Sequence, residues 1–272
     1  ADRLYRGLLD ATQRHDSERG VTHHLGAVYA NIALTSAAQG DFDQAVIGLL
    51  QAAQDDVETR GVLGAESHAM TDLLQEQLSP IRETAVNLAR EVNPVLGGAD
   101  MQAIADVLGV VREYAFLAYV RLAALHLDAN ERFPNDFSQM QLFGALRSLS
   151  SLFEVQLKSI TGDTEDKLFQ AIEKLYGGSK AVRKRWWNTF NEERLQIRGR
   201  RKPYRSANEQ LEKAVDLPLE DDSRFWRSLI IAHIVRNYTI HQLETQSALI
   251  QRYPREALRN VLHAMLAAPR HV

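Results

Sequence analysis

Arg236, Asn237 and His241 fall within six consecutive positions, Arg236-Asn237-Tyr238-Thr239-Ile240-His241, and together they carry the groups that handle a phosphodiester. A guanidinium binds phosphate oxygens in a planar fork, and an imidazole moves a proton near neutral pH. The amide between them can orient its neighbours or donate a hydrogen bond. On a helix, Arg236 and His241 stand about 140° apart, with Asn237 and, one turn earlier, His233 between them. The pair flanks a face rather than sharing one.

The spacing alone is weak. With 25 Arg and 9 His in the chain, the looser pattern R-x-x-x-x-H is expected roughly 0.8 times by chance. It recurs at Arg19 to His24 and at Arg121 to His126. Requiring Asn in second place lowers the expectation to about 0.03, and only Arg236-Asn237 to His241 survives. Arg227 to His233 fits a relaxed spacing in the same stretch, and Arg259-Asn260 to His263 misses by one residue. The pattern R-N-x-x-x-H resembles the signature of the HEPN-family ribonucleases. That family includes CRISPR ancillary nucleases and the toxin halves of toxin–antitoxin pairs.

The motif sits in an apolar run from about Ser223 to Arg252 with helical periodicity. One face carries Ile231, Ile234, Val235 and Tyr238, a core stripe, yet the motif's own face carries Trp226, Leu229, Ile230 and Ile240. A helix apolar on every side is buried all round. Polar motif residues amid that surface predict a homodimer interface made by Trp226, Leu229, Ile230 and Ile240. The HEPN resemblance implies the same, one composite site built from two copies of the motif.

A second informative segment precedes this helix. Between Lys180 and Arg205 ten Lys or Arg stand against two Glu, in a chain whose formal net charge is −3. Arg183, Lys184 and Arg185 lead into Trp186-Trp187, and Arg198, Arg200, Arg201 and Lys202 form a cationic loop closing on Pro203-Tyr204-Arg205. Clustered cations attract a phosphate backbone, and aromatics stack on unpaired bases. These residues are the expected RNA-binding set. The bland alternative makes the tryptophans core and the arginines a solvated face.

The elements that position these groups read as helices throughout, so the expected fold is all-α. Only 7 Pro occur, and β-branched alternation is nearly absent. An amphipathic segment covers 1–14. Leu25-Gly26-x-x-Tyr29 with Gly40-Asp41-Phe42-Asp43-Gln44-Ala45 is similar to a tetratricopeptide helical hairpin, although a single unit is visible and an ordinary hairpin explains it equally well. His23 and His24 beside it read as solvated or capping residues. A helix from about Ala65 to Leu78 is expected to restart at Ser79-Pro80 and to end at Asn93-Pro94-Val95-Leu96-Gly97-Gly98, which also serves as a domain boundary, 1–95 against 96–272. From Asp100 as N-cap a long helix runs to about Asp128, with His126 a packed or capping histidine. Further helices are expected from about Asn135 to Ile160, before Gly177-Gly178, after the capping-box pattern Ser206-Ala-Asn-Glu209, and from about Pro254 to Ala267. The acidic turn Asp216–Asp222 precedes the motif helix, where carboxylates favour the helix start.

Composition narrows the chemistry. Without Cys there is no disulfide, thiol nucleophile or thiolate metal site, and a cytoplasmic setting is expected. No apolar run is long enough to cross a bilayer, so no membrane partner is expected. Gly-rich phosphate loops, G-x-S-x-G and H-E-x-x-H are absent. No cofactor and no metal are expected. The resemblance implies a metal-independent endoribonuclease for defence or toxin-type RNA degradation. Arg236 would hold the scissile phosphate, His241 would act as general acid or base, and Asn237 would orient its neighbours. The rivals are a non-catalytic scaffold binding a protein through the N-terminal hairpin and the apolar part of the motif helix, and an RNA-binding module with an inert motif.

Overall fold

A computed structural model describes residues 2–20, 23–39, 65–133, 135–162, 168–175, 207–216, 221–241 and 252–271, with 41, 44, 47, 48, 51, 52, 55 and 59 between them. Among them the chain is helical without strands, as the sequence predicts. The helices are α1 (Asp2–Arg19), α2 (Gly26–Ala38), α3 (Ala65–Arg90), α4 (Gly98–Leu108), α5 (Val110–Arg132), α6 (Asp136–Thr161), α7 (Leu168–Leu175), α8 (Ala207–Val215), α9 (Asp221–His241) and α10 (Pro254–Ala267), closed by a 3-10 turn at Ala268–His271. No helix among the described residues is long and apolar enough to cross a membrane.

By contacts the chain divides into two units, residues 1–83 with 108–121, and residues 84–107 with 122–272. The turn at 93–98 therefore lies inside the second unit. In the first unit α1 packs on α2. Gly48 approaches α2 closely: a Cβ on it would sit 3.0 Å from the Ala33 Cβ and the Tyr29 carbonyl oxygen. His24, expected as a solvated or capping residue, is largely buried, with Nδ1 2.6 Å from the Thr59 hydroxyl and 3.2 Å from the Asp55 carboxylate.

Three local expectations change. Pro80 lies inside α3 instead of restarting it. Proline removes one donor and crowds the preceding turn, yet Leu78 and Ile81 on either side are buried, and packing holds the helix through. The long helix expected from Asp100 is two helices, because Gly109 adopts a left-handed φ of 75° between α4 and α5. Asp100 is not the N-cap either. It lies in the first turn of α4, its Oδ2 accepting from the Gly97 N–H at 2.7 Å, the reach-back half of a capping box.

The second unit is a bundle in which α9 is central. It packs on α10, α6, α8 and α7, and α10 also packs on α6. α6 begins as expected at Asn135, whose side chain accepts from the Ser138 N–H at 2.8 Å. It ends at Gly162, whose φ of 67° returns its N–H to the Lys158 and Ser159 carbonyls. α10 is covered almost along its whole length, and Gln156 of α6 donates to the Met265 carbonyl at 2.8 Å.

Candidate functional site

α9 brings its polar residues out of an otherwise apolar cylinder. Phe225, Trp226, Leu229, Ile230, Ile231, Ala232, Ile234 and Val235 are all buried in the chain's own core. Trp226, Leu229 and Ile230 therefore do not form the expected dimer face. The all-round apolarity of α9 is met inside one chain, by helices that are distant in sequence, and this leaves those three side chains no surface for a second copy. Exposed large apolar side chains of the second unit gather elsewhere, with Phe133, Phe137 and Met140 at the turn from α5 into α6.

Arg236 and Asn237 emerge where α9 meets α6. The Arg236 guanidinium lies side-on to Glu154, with Nε donating to Oε2 at 2.8 Å and Nη2 at 2.7 Å from the same oxygen. Its Nη1 donates to the Asn237 Oδ1 at 3.3 Å, so Asn237 accepts from the arginine. One turn along α6, the Lys158 ammonium is 2.9 Å from the other carboxylate oxygen of Glu154. Burial alone raises the Glu154 pKa, but the hydrogen bonds and charges of Lys158 and Arg236 prevail and hold it below the ordinary glutamate value. The result is a largely buried cation–carboxylate–cation row with Asn237 at its end.

His241 is the last residue of α9, one turn beyond Asn237 on the backbone. Its side chain, like those of Tyr238, Thr239 and Ile240, lies outside the described residues. So do Arg183, Lys184, Arg185, Arg198, Arg200, Arg201, Lys202 and Arg205. His233, one turn before Asn237, is described. Burial, reinforced by the Arg236 charge, pushes its imidazole down to about 3, so it is neutral near pH 7 and does not exchange protons there.

Glu154 and Lys158 escape a reading of the motif alone. Their signal is nonetheless local: in the 26 residues of α6 the charged positions are Asp136, Arg147, Glu154 and Lys158, and the last two stand at i,i+4 in an apolar setting. An isolated ion pair on a core-facing helix marks a place where another charged group enters.

A second buried polar group lies at the other end of α9. The Asn260 amide donates to the Glu256 carbonyl at 2.8 Å, which fixes its Oδ1 as an acceptor. Ser228 donates to that oxygen at 2.8 Å, and its own oxygen accepts from His263 Nδ1 at 2.7 Å. Serine, histidine and amide thus meet, but in the wrong sense for nucleophilic catalysis. There the imidazole takes the serine proton, whereas here the imidazole donates. Ser228 and His263 are moreover fully buried. Burial pushes the His263 imidazole down to about 4, helped by the charges of Arg227, His271, Arg224 and Arg270.

His126, His15 and His23 lie elsewhere. His126 is buried and edge-on to Phe137, with ring centroids 5.7 Å apart, a packed residue as expected. His15, Asp16 and His23 offer ligand atoms within 4.8 Å of one another on α1 and the turn after it, with His23 bonded to Asp16. His15 and His23 are exposed, and two imidazoles with one carboxylate make an open three-ligand set. No protein-family model, curated protein or solved structure matches the chain.

Proposed function

We propose that the chain is a metal-independent endoribonuclease of the HEPN type, with RNA as its partner. Support comes from one observation: Arg236 and Asn237, on the otherwise buried α9, form a bonded row with Glu154 and Lys158 of α6, and the backbone of α9 reaches His241 one turn later. In this mechanism Glu154 holds the guanidinium in orientation in the resting protein. When the scissile phosphate arrives, Arg236 turns to it, and Glu154 keeps Lys158 as its counter-cation. Arg236 then neutralises the charge that builds on the phosphorus oxygens. His241 removes the proton from the 2′-hydroxyl or delivers one to the leaving 5′-oxygen. The 2′-oxygen attacks phosphorus, the bond to the 5′-oxygen breaks, and the products carry 2′,3′-cyclic phosphate and 5′-hydroxyl ends.

The test is cleavage of RNA in EDTA by the wild-type chain, Arg236→Ala and His241→Ala. Each variant should lose a factor of about 10² or more, the usual scale for a charge stabiliser or proton carrier, and DNA should resist. Cleavage that requires Mg²⁺ and leaves 5′-phosphates overturns the mechanism, and full activity in His241→Ala moves the site elsewhere. A second reading, a non-catalytic scaffold, draws on the exposed cluster of Phe133, Phe137 and Met140. Apolar side chains gathered on a surface mark protein docking. An RNase-inactive chain that loses a protein partner on Phe133→Ser with Met140→Ser would favour it.

A further inference from the structure

Arginines crowd the start of α9 where α10 packs against it. Arg224 and Arg227 stand one turn apart on α9, and the charges of both Arg224 and Arg259 of α10 act on Arg227. Arg259 has carboxylate partners, Glu256 at 3.2 Å and Glu91 at 3.7 Å. Arg227 differs. It is only 7% exposed, its buried Nε donates to no acceptor, and no carboxylate comes within ion-pair distance of it among the described residues. Burial and the charges of Arg259 and Arg224 all depress its pKa, and Glu256 is the one acid whose charge favours its cation. An arginine does not shed its proton in a protein. A buried cation without a counter-charge is among the costlier things a fold can hold, and a bound anion removes that cost.

We propose that Arg224, Arg227 and Arg259 form a binding site for a dianionic phosphate group, supplied by inorganic phosphate or by the terminal phosphate of a small molecule. Guanidinium forks match tetrahedral phosphate oxygens and form the stronger, charge-assisted class of hydrogen bond. A dianion offers oxygens to the buried Arg227 and to a neighbouring guanidinium at once. A terminal phosphate also reaches a deeply set arginine, whereas an internal diester is flanked by sugars on both sides. The place is separate from Arg236. Nine residues put Arg227 about 13.5 Å away along α9 and on the opposite side of the helix.

The test uses thermal denaturation and calorimetric titration of the full chain at pH 7.5 and fixed ionic strength, without RNA. The ligands are inorganic phosphate, adenosine 5′-monophosphate, adenosine, acetate, and an oligouridylate with no terminal phosphate. Phosphate and the monophosphate should raise Tm by several degrees at saturation, while acetate and adenosine should not. Arg227→Met, which keeps the buried stem and removes the cation, should weaken phosphate at least tenfold. If that variant does not fold, Arg224→Gln, at a part-exposed position, should weaken it about threefold. A wild-type Tm that responds to phosphate no more than to acetate overturns the site. So does retention of affinity within twofold in the variant used, and so does an oligouridylate that binds as tightly as the terminal phosphates.

Discussion

Two arginines nine residues apart on α9 have opposite surroundings. Arg236 lies against a carboxylate from α6, 82 positions away in sequence, and that carboxylate has a second cation in Lys158. Arg227 lies at the other end among Arg224 and Arg259, buried and, among the described residues, without an ion pair. Each end also holds an imidazole kept neutral by its surroundings, the part-buried His233 beside Arg236 and the buried His263 beside Arg227. The lesson is that residue type on a helix says little about electrostatic role. The partner helix decides whether a guanidinium is a neutralised fixture or an unsatisfied charge.

Acid should produce the largest effect and touch both ends together. His233 and His263 are held neutral in the fold, at about 3 and about 4, against an ordinary value of 6.5. As pH falls the unfolded chain takes up protons first, so the stability that these groups contribute is complete above about pH 6.5. It drains away as pH falls, ending near pH 4 for His263 and near pH 3 for His233. The loss is about 3 kcal/mol for His263 and somewhat more for His233. Urea midpoints measured from pH 7.5 to pH 4 should fall, and His263→Gln should fall less steeply than wild type. A flat profile would show that neither imidazole is as buried as the structure places it.

The next effect is confined to the paired end. Glu154→Gln keeps the shape of the side chain and removes its charge, leaving Arg236 largely buried beside a neutral amide. Losing one partner of such a pair costs about 2 kcal/mol, because the remaining charge stays desolvated. Lys158 loses its partner too, but it can reach water. Equilibrium unfolding checks this, and a cost below about 0.5 kcal/mol would mean that Arg236 draws its support from elsewhere.

How much of this was legible beforehand depended on whether the signal was local. Helix starts expected near Asn135 and Pro254 rest on signals within their own helices, and those boundaries match the structure. Pro80 misled because its local cost is real, yet packing of Leu78 and Ile81 outweighs it. Gly109 gives no such signal, because a glycine in an apolar stripe does not announce a positive φ. The apolarity of α9 was read correctly as burial, but a sequence cannot say which surface does the burying. Trp226, Leu229 and Ile230 met the chain's own helices. Arg236 and Asn237 were found by type and spacing, whereas Glu154 and Lys158 reach the same place from another helix.

The smallest effect tests the unpaired end, and its direction matters more than its size. In chloride buffer free of phosphate, Arg227→Met removes a buried cation that has no counter-charge and leaves an unbranched apolar stem in the same space. The lost methylene packing is small, and the relief of desolvation and of repulsion from Arg224 and Arg259 works in the opposite direction. Replacing buried charge with an apolar group of similar volume is often neutral or stabilising, so the variant should lie within about 1 kcal/mol of wild type, on the stable side. Glu154→Gln at the other end should be clearly destabilising under the same conditions. Adding phosphate should then separate wild type from Arg227→Met and leave Glu154→Gln shifted in parallel with wild type. If Arg227→Met instead costs as much as Glu154→Gln, Arg227 has a partner within the fold, and the contrast between the two ends of α9 disappears.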